Sequence, residues 1–317
     1  MIIRSLLVLF LILLSLGSLF IGVKDISLSD ILKLQEDELL VFLVSRVPRM
    51  ISILIAGVGM SICGLIMQQL SMNKFVSPTT AGTLDATKMG ILFSLILFPA
   101  GGMLTKMMFS FSIALAASLV FLKIADSIKY KSIIFIPLIG IVFGNILNAI
   151  STFFAYRYGV IQNMEGWMIG DFSSIIKGNY EILYIGIPIV LLCYAYANKF
   201  TIVGLGEDTA KSLGLNHKRI TYLGLIFVSI TASVVVLTAG VIPFLGLIIP
   251  NIVSMIFGDN LKKTLPYTAL LGAIFLLICD IISRLVIYPY EVPIGLTVSI
   301  VGGIVFLGML LKKTKHA

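Results

Sequence analysis

"SRVPRMISILIAGVGMSICGLIMQQ", residues 45–69, decides the class of this protein. Between Met50 and Gln68 only Ser52, Ser61 and Cys63 interrupt an aliphatic, glycine-studded run. A run of this length matches the roughly 20 residues a helix needs to cross a hydrocarbon core of about 30 Å. Backbone groups in lipid must be hydrogen-bonded internally, so the run is read as a helix. Working outward, the composition agrees. The 317 residues are 59% hydrophobic and 12% charged, with a mean hydropathy of +1.10. Soluble domains carry about 25% charged residues, so the whole chain reads as one integral membrane domain, residues 1–317.

Ten such runs follow one another, near residues 5–22, 50–70, 87–105, 107–125, 133–155, 179–198, 220–240, 244–257, 266–287 and 294–311. The expectation is an all-α polytopic protein with about ten transmembrane helices. The first run is long for a signal peptide and lacks an A-x-A cleavage site, so it is read as a retained span. The eighth is short, bracketed by Pro243 and Pro250 around Gly246, and is expected to be broken or re-entrant, facing protein rather than lipid.

Ten spans place both termini on one side. One set of loops holds Lys123, Lys129 and Lys131, then Lys199, Lys211, Lys218 and Arg219, then Lys262 and Lys263, then Lys312, Lys313 and Lys315. The other set, residues 24–40, 157–181 and 288–293, is neutral or acidic. The positive-inside rule makes the first set, with both termini, cytoplasmic. The net charge of +8 is then loop asymmetry rather than a nucleic-acid footprint, and no nucleic-acid-binding motif accompanies it. Arg46 and Arg49 run against the trend, as does Arg284. They are read either as interfacial anchors or as groups displayed outward.

Other features leave alternatives open. In "KFTIVGLGEDTAKSLGLNHKRI", residues 199–220, the centre from Glu207 to Leu213 has a helical pattern. Glu207 and Lys211 stand in the favourable i,i+4 order, and Gly214 suits a left-handed stop. It is either a solvated connector or a docking peg. On the fifth run Gly140, Gly144, Asn148 and Thr152 recur every fourth residue, with Asn145 one step away. That face serves helix packing or lines a polar path. Asp280 and Arg284 form an i,i+4 pair in the ninth run, and Asp85 and Lys88 are expected to pair on the inner side. Cys63, Cys193 and Cys279 lie apart in apolar runs, and the histidines are His217 and His316, so no metal site is expected. Without a G-x-x-x-x-G-K-[ST] motif the chain is not expected to hydrolyse ATP.

Six motifs in order along the whole chain resemble the FecCD-type permeases of bacterial ABC importers. Residues 45–69 are similar to that family's R-x-P-R entry to the second span. "NKFVSPTTAGT" stands at its N-P-L-x-x-P loop, and "GWMIGDFS" at its external W-x-x-G segment. "LGEDTAKSLGL" resembles its G-x-x-x-A-x-x-L-G loop, and "TAGVIPFLGLIIPNIV" with "CDIISRLVIYPYEVPIGLTVSIVGGIVFLGMLL" its final third. "GTLDATKMG" departs from the small-residue G-V-x-x-G-A pattern.

The resemblance implies a vitamin B12 importer permease-like fold in a bacterial plasma membrane, working as a homo- or heterodimer. Gly206, Glu207, Asp208, Ser212, Leu213, Gly214 and Leu215 would dock on a cytoplasmic ATP-binding subunit, which would hold ATP and Mg; this chain would bind no cofactor. Arg46, Arg49 and Arg284 would meet acidic residues of an extracellular lipoprotein. Gly144, Asn145, Asn148 and Thr152 would line the path. "MNKFVSPTTAGTLD" with "FIPLIGIVFGNI" looks most like petrobactin and catecholate-siderophore permeases of Gram-positive bacteria. The reading from another class is an ion-coupled secondary transporter, for which Asp280 is the one candidate relay.

Overall fold

The computed structural model describes residues 2–22, 36–128 and 135–314. Most of the 24–40 loop and Lys129, Lys131, Lys315 and His316 lie outside the described residues. The described chain is helical with no strand. In order it comprises α1 (Ile2–Phe20), α2 (Glu36–Val41), a π turn (Phe42–Arg46), α3 (Val47–Leu70), α4 (Thr83–Leu97), α5 (Met103–Ser127) and α6 (Phe135–Arg157). Then follow α7 (Ile161–Met168), a 3-10 turn (Glu181–Ile185), α8 (Gly186–Ala195), α9 (Ala197–Val203), α10 (Glu207–Ser212), α11 (His217–Ala239), α12 (Leu245–Phe257), α13 (Leu261–Leu285) and α14 (Ile294–Thr314).

Each of the ten apolar runs is helical, but six continuous helices are long and apolar enough to cross a membrane. The run at 179–198 is instead a bent pair, with α9 turned by 64° from the helix before it. The run at 87–105 ends early: Pro99 pushes Phe98 out of the helical region, and Gly101 and Gly102 lie in the turn before α5. The eighth run is the short, largely buried α12 with Pro250 inside it. Its Gly246 carbonyl lies so close to Gly64 of α3 that any side chain at 64 would collide with backbone.

The second run also starts differently. Pro48 does not open a helix; the helix runs through it from Leu39 to Leu70. Proline lacks an N–H and its ring crowds the carbonyl four residues back. The π turn relieves that crowding, closing with the Val47 N–H on the Phe42 carbonyl. The released Val44 carbonyl accepts the Lys177 N–H at 2.9 Å. Arg46 and Arg49 therefore sit inside a continuous helix, not at its exposed first turn.

α3 is the central post, packed on α11, α12 and α13. Two apolar clusters are stacked along it. Ile53, Ala56 and Met60 join Val235, Leu276 and Leu277 in one. Ile62, Ile66 and Leu70 join Phe200, Leu225 and Leu265 in the other. The ends of α3 define two poles. At one are Arg46, the 157–181 segment and the turn before α14. At the other are Leu70, α10 and the starts of α11 and α13, where Asn216 and Asn260 cap by accepting from the Arg219 and Lys263 N–H groups.

Candidate functional site

At the α10 pole the chain shows a short helix of fixed shape. Gly206 precedes it at φ 106°, a conformation natural to glycine alone. Glu207 and Lys211 pair at 2.9 Å, both exposed. The hydrogen bond from Lys211 holds the Glu207 carboxyl below its usual range, and the same bond raises Lys211. The end is a Schellman motif: Gly214, at φ 73°, donates to the Lys211 carbonyl, and Leu215 donates to the Ala210 carbonyl. Ala210 is fully buried and roots the helix, whereas Leu205 and Leu213 stand in the open, 63% and 59% exposed. Leu213, next to the stop at Gly214, does not share the buried side of Ala210. Asp208 and Ser212 are exposed, and the Ser212 hydroxyl donates to the Asp208 carbonyl. A cleft of about 650 Å³ beside α10 is lined by Met72, Lys123, Asp126, Glu207 and Tyr222.

At the other pole the three predicted arginines do come together, but inside the chain. Arg46, 8% exposed, donates to the Leu19 carbonyl at 2.8 Å. Arg284, 5% exposed, donates to the Ser18 and Ile21 carbonyls. These carbonyls end α1, where the helix leaves acceptors without partners and favours positive charge. Asp280, wholly buried, bridges Arg284 and Arg49. Arg49 also binds Glu291 at 2.6 Å, the partly open end of the network. Asp280–Arg284 is thus one limb of a four-residue network with Arg49 and Glu291 that joins α3 to α13, and Arg284, like Arg46, holds the end of α1. The sequence did not reveal Glu291 as a partner, because 242 residues separate it from Arg49.

The residues proposed for the path divide. Gly144 packs on Gly82 and Asp85, and Gly140 on the Thr80 carbonyl, so these two let α6 approach the start of α4. Asn145 is exposed on α6, and Asn148 and Thr152 are half-buried. Asn148 accepts from Lys88 Nζ at 3.0 Å, and Glu165 of α7 is 3.3 Å from the same ammonium. The expected inner-side Asp85–Lys88 pair is not a direct bridge: the two act on one another electrostatically, with no hydrogen bond or salt bridge between them. Lys88 extends toward the 157–181 segment, while Asp85 sits against Gly144. Cys63, Cys193 and Cys279 are buried and unbridged, and the described residues hold no cluster suited to a metal ion.

A helical protein with six helices long and apolar enough to cross a membrane falls in the class of polytopic integral membrane proteins. More particularly, the chain belongs to the FecCD transport family, whose model matches residues 7–312. It is 54% identical to the petrobactin import system permease protein YclN of Bacillus subtilis, over 97% of each chain. It is 45% identical to the ferric-anguibactin transport system permease protein FatD of Vibrio anguillarum, over 94% of this chain and 95% of that one. The fold matches a solved metal-chelate type ABC transporter, described in an inward-facing conformation, with a TM-score of 0.81. That match is at 22% identity and covers 98% of this chain and 99% of the other.

Proposed function

We propose that this chain is the permease subunit of an ATP-binding-cassette importer that carries a ferric siderophore, of catecholate type, into the cytoplasm by alternating access. The observation that carries this reading is α10, pinned by Ala210 and a Schellman stop, with Leu205 and Leu213 presented to solvent. Exposed leucines on a rigid stub suit a mechanical contact better than a mere connector. A separate cytoplasmic subunit would grip α10, bind and hydrolyse ATP with Mg, and drive the switch.

Lys199, Lys211, Lys218, Arg219, Lys262 and Lys263 gather around the α10 pole, which supports its cytoplasmic placement. The opposite pole would then receive an extracellular substrate-binding lipoprotein. Arg46 and Arg284 would hold that platform rigid, and Arg49 would offer the contact, with acidic groups of the lipoprotein competing against Glu291. The polar face of α6, Gly144 to Thr152, would line the path together with a second permease subunit, identical or related. The siderophore class rests on the kinship with the petrobactin permease. Asp280 is enclosed between two arginines, which argues against an ion-coupled relay.

Uptake of radioiron loaded on petrobactin, in cells lacking and regaining this gene, tests the reading. Wild type should restore uptake. Glu207→Ala combined with Leu213→Ala should reach the membrane at normal level yet lose uptake at least about tenfold, as expected when an apolar anchor worth more than 1 kcal/mol is removed. Full uptake by that double variant removes the coupling role from α10.

A further inference from the structure

We infer that Lys88 is an anion-exchange contact in the translocation path: its resting counter-ion is Glu165, and the anionic oxygens of the ferric chelate displace that carboxylate during passage. This rests on the ferric-chelate reading above.

Lys88 lies within an apolar helix, and its side chain is 8% exposed. An ammonium in such surroundings is expensive, and it is found where it faces a path or a wet cavity. Its partners do not account for it as structural glue. Glu165 is 60% exposed, and an ion pair open to water on one side contributes about 0–1 kcal/mol. Asn148 supplies one neutral acceptor, and Asp85, one turn earlier on α4, acts on the ammonium electrostatically without bonding to it. An ammonium has three donors, and among the described residues two have acceptors.

The exposure of Glu165 also gives the cluster its direction. It opens away from the packed core beside Asn148, on the face of α6 that also carries Asn145 and Thr152. On the same face, one turn before Asn145, the exposed Ile141 is apolar. A path lined by neutral side chains offers an anionic complex no opposite charge. One buried ammonium supplies attraction, and a half-solvated carboxylate already bound to it keeps the empty path from carrying an uncompensated charge. Replacing one carboxylate by an anionic oxygen of the ligand conserves charge and hydrogen bonding, so entry and exit are both easy. A cationic chelate would gain nothing from the same exchange.

The full importer carrying Lys88→Gln, Lys88→Arg or Glu165→Gln should be compared for radioiron uptake from petrobactin, with membrane abundance measured for each. Lys88→Gln should lower uptake at least tenfold, and Lys88→Arg should retain most of it. Glu165→Gln should retain uptake or raise it at low chelate concentration. Equal losses in Lys88→Gln and Glu165→Gln would reveal a structural cross-link and overturn the inference, as would wild-type uptake by Lys88→Gln. Stabilisation of the purified permease by iron-loaded petrobactin in a thermal melt, present in wild type and lost in Lys88→Gln, is a readout independent of transport. If wild type imports nothing yet shows this Lys88-dependent shift, the import reading falls and the anion site stands. If the shift is absent or unchanged in Lys88→Gln, the site falls.

Discussion

The two poles of this molecule both carry charge, and they use it in opposite ways. At the Arg46 pole, Arg49, Asp280, Arg284 and Glu291 face one another, Arg46 holds the neighbouring end of α1, and Asp280 and two of the arginines are buried. At the α10 pole, Glu207–Lys211 and Lys74–Asp259 are paired in the open, at 2.9 and 2.8 Å. The difference teaches that distance between charges does not measure their importance. The interaction of a buried pair is barely screened, and losing one member leaves the other without solvent. An exposed pair is screened by salt and remains solvated when broken.

The largest expected effect therefore falls on Asp280. Asp280→Ala strands two guanidinium groups and should cost about 3–5 kcal/mol, seen as a large fall in the thermal midpoint of detergent-solubilised protein. A melt like that of wild type would mean that the clamp is open to water. Next comes Leu213 at the other pole. Leu213→Ala alone should leave the melt unchanged while lowering ATP-driven uptake, because its side chain touches solvent in the isolated subunit; a destabilised melt would place it in the core. Smaller still is Asp259→Asn, which breaks the Lys74 pair and should shift stability by no more than about 1 kcal/mol, with the shift vanishing in high salt. The smallest is the pH response of α10. The lowered carboxyl of Glu207 contributes above its unfolded pKa and loses that contribution as pH falls through the folded value. The raised Lys211 contributes below its unfolded pKa and loses it as pH rises through the folded one. Helix order in α10, followed by hydrogen exchange, should be flat near neutrality and weaken in acid, and Glu207→Gln should abolish the acid limb.

The same contrast explains what could be read from residues alone. α10 was legible because its determinants are local: an i,i+4 pair, a flanking glycine and a left-handed stop within ten residues. The Arg46 cluster was half legible. Asp280 and Arg284 are four apart, but Arg49 reaches them across 231 residues, and the carbonyls of α1 carry no signature in the sequence. The place of Pro48 was not legible, because a proline at a helix start and a proline behind a π turn look alike until the Lys177 N–H is seen on the Val44 carbonyl. On α6, the four-residue spacing marked a shared face; it could not say that Gly140 and Gly144 pack while Asn148 receives Lys88.

By itself the sequence determined the helical membrane class, the ten apolar runs, the shortness of α12 and the shape of α10. Hydrophobic length, loop charge and capping chemistry act over one or two turns, so they are written in adjacent residues. Only the tertiary structure decided that Arg46 and Arg284 are enclosed, that six of the runs are continuous helices long enough to span, and that Lys88 bonds to Glu165 rather than to Asp85. Those outcomes depend on which helices meet. Burial fixes the strength of a charge pair, and burial is a property of neighbours distant in the chain.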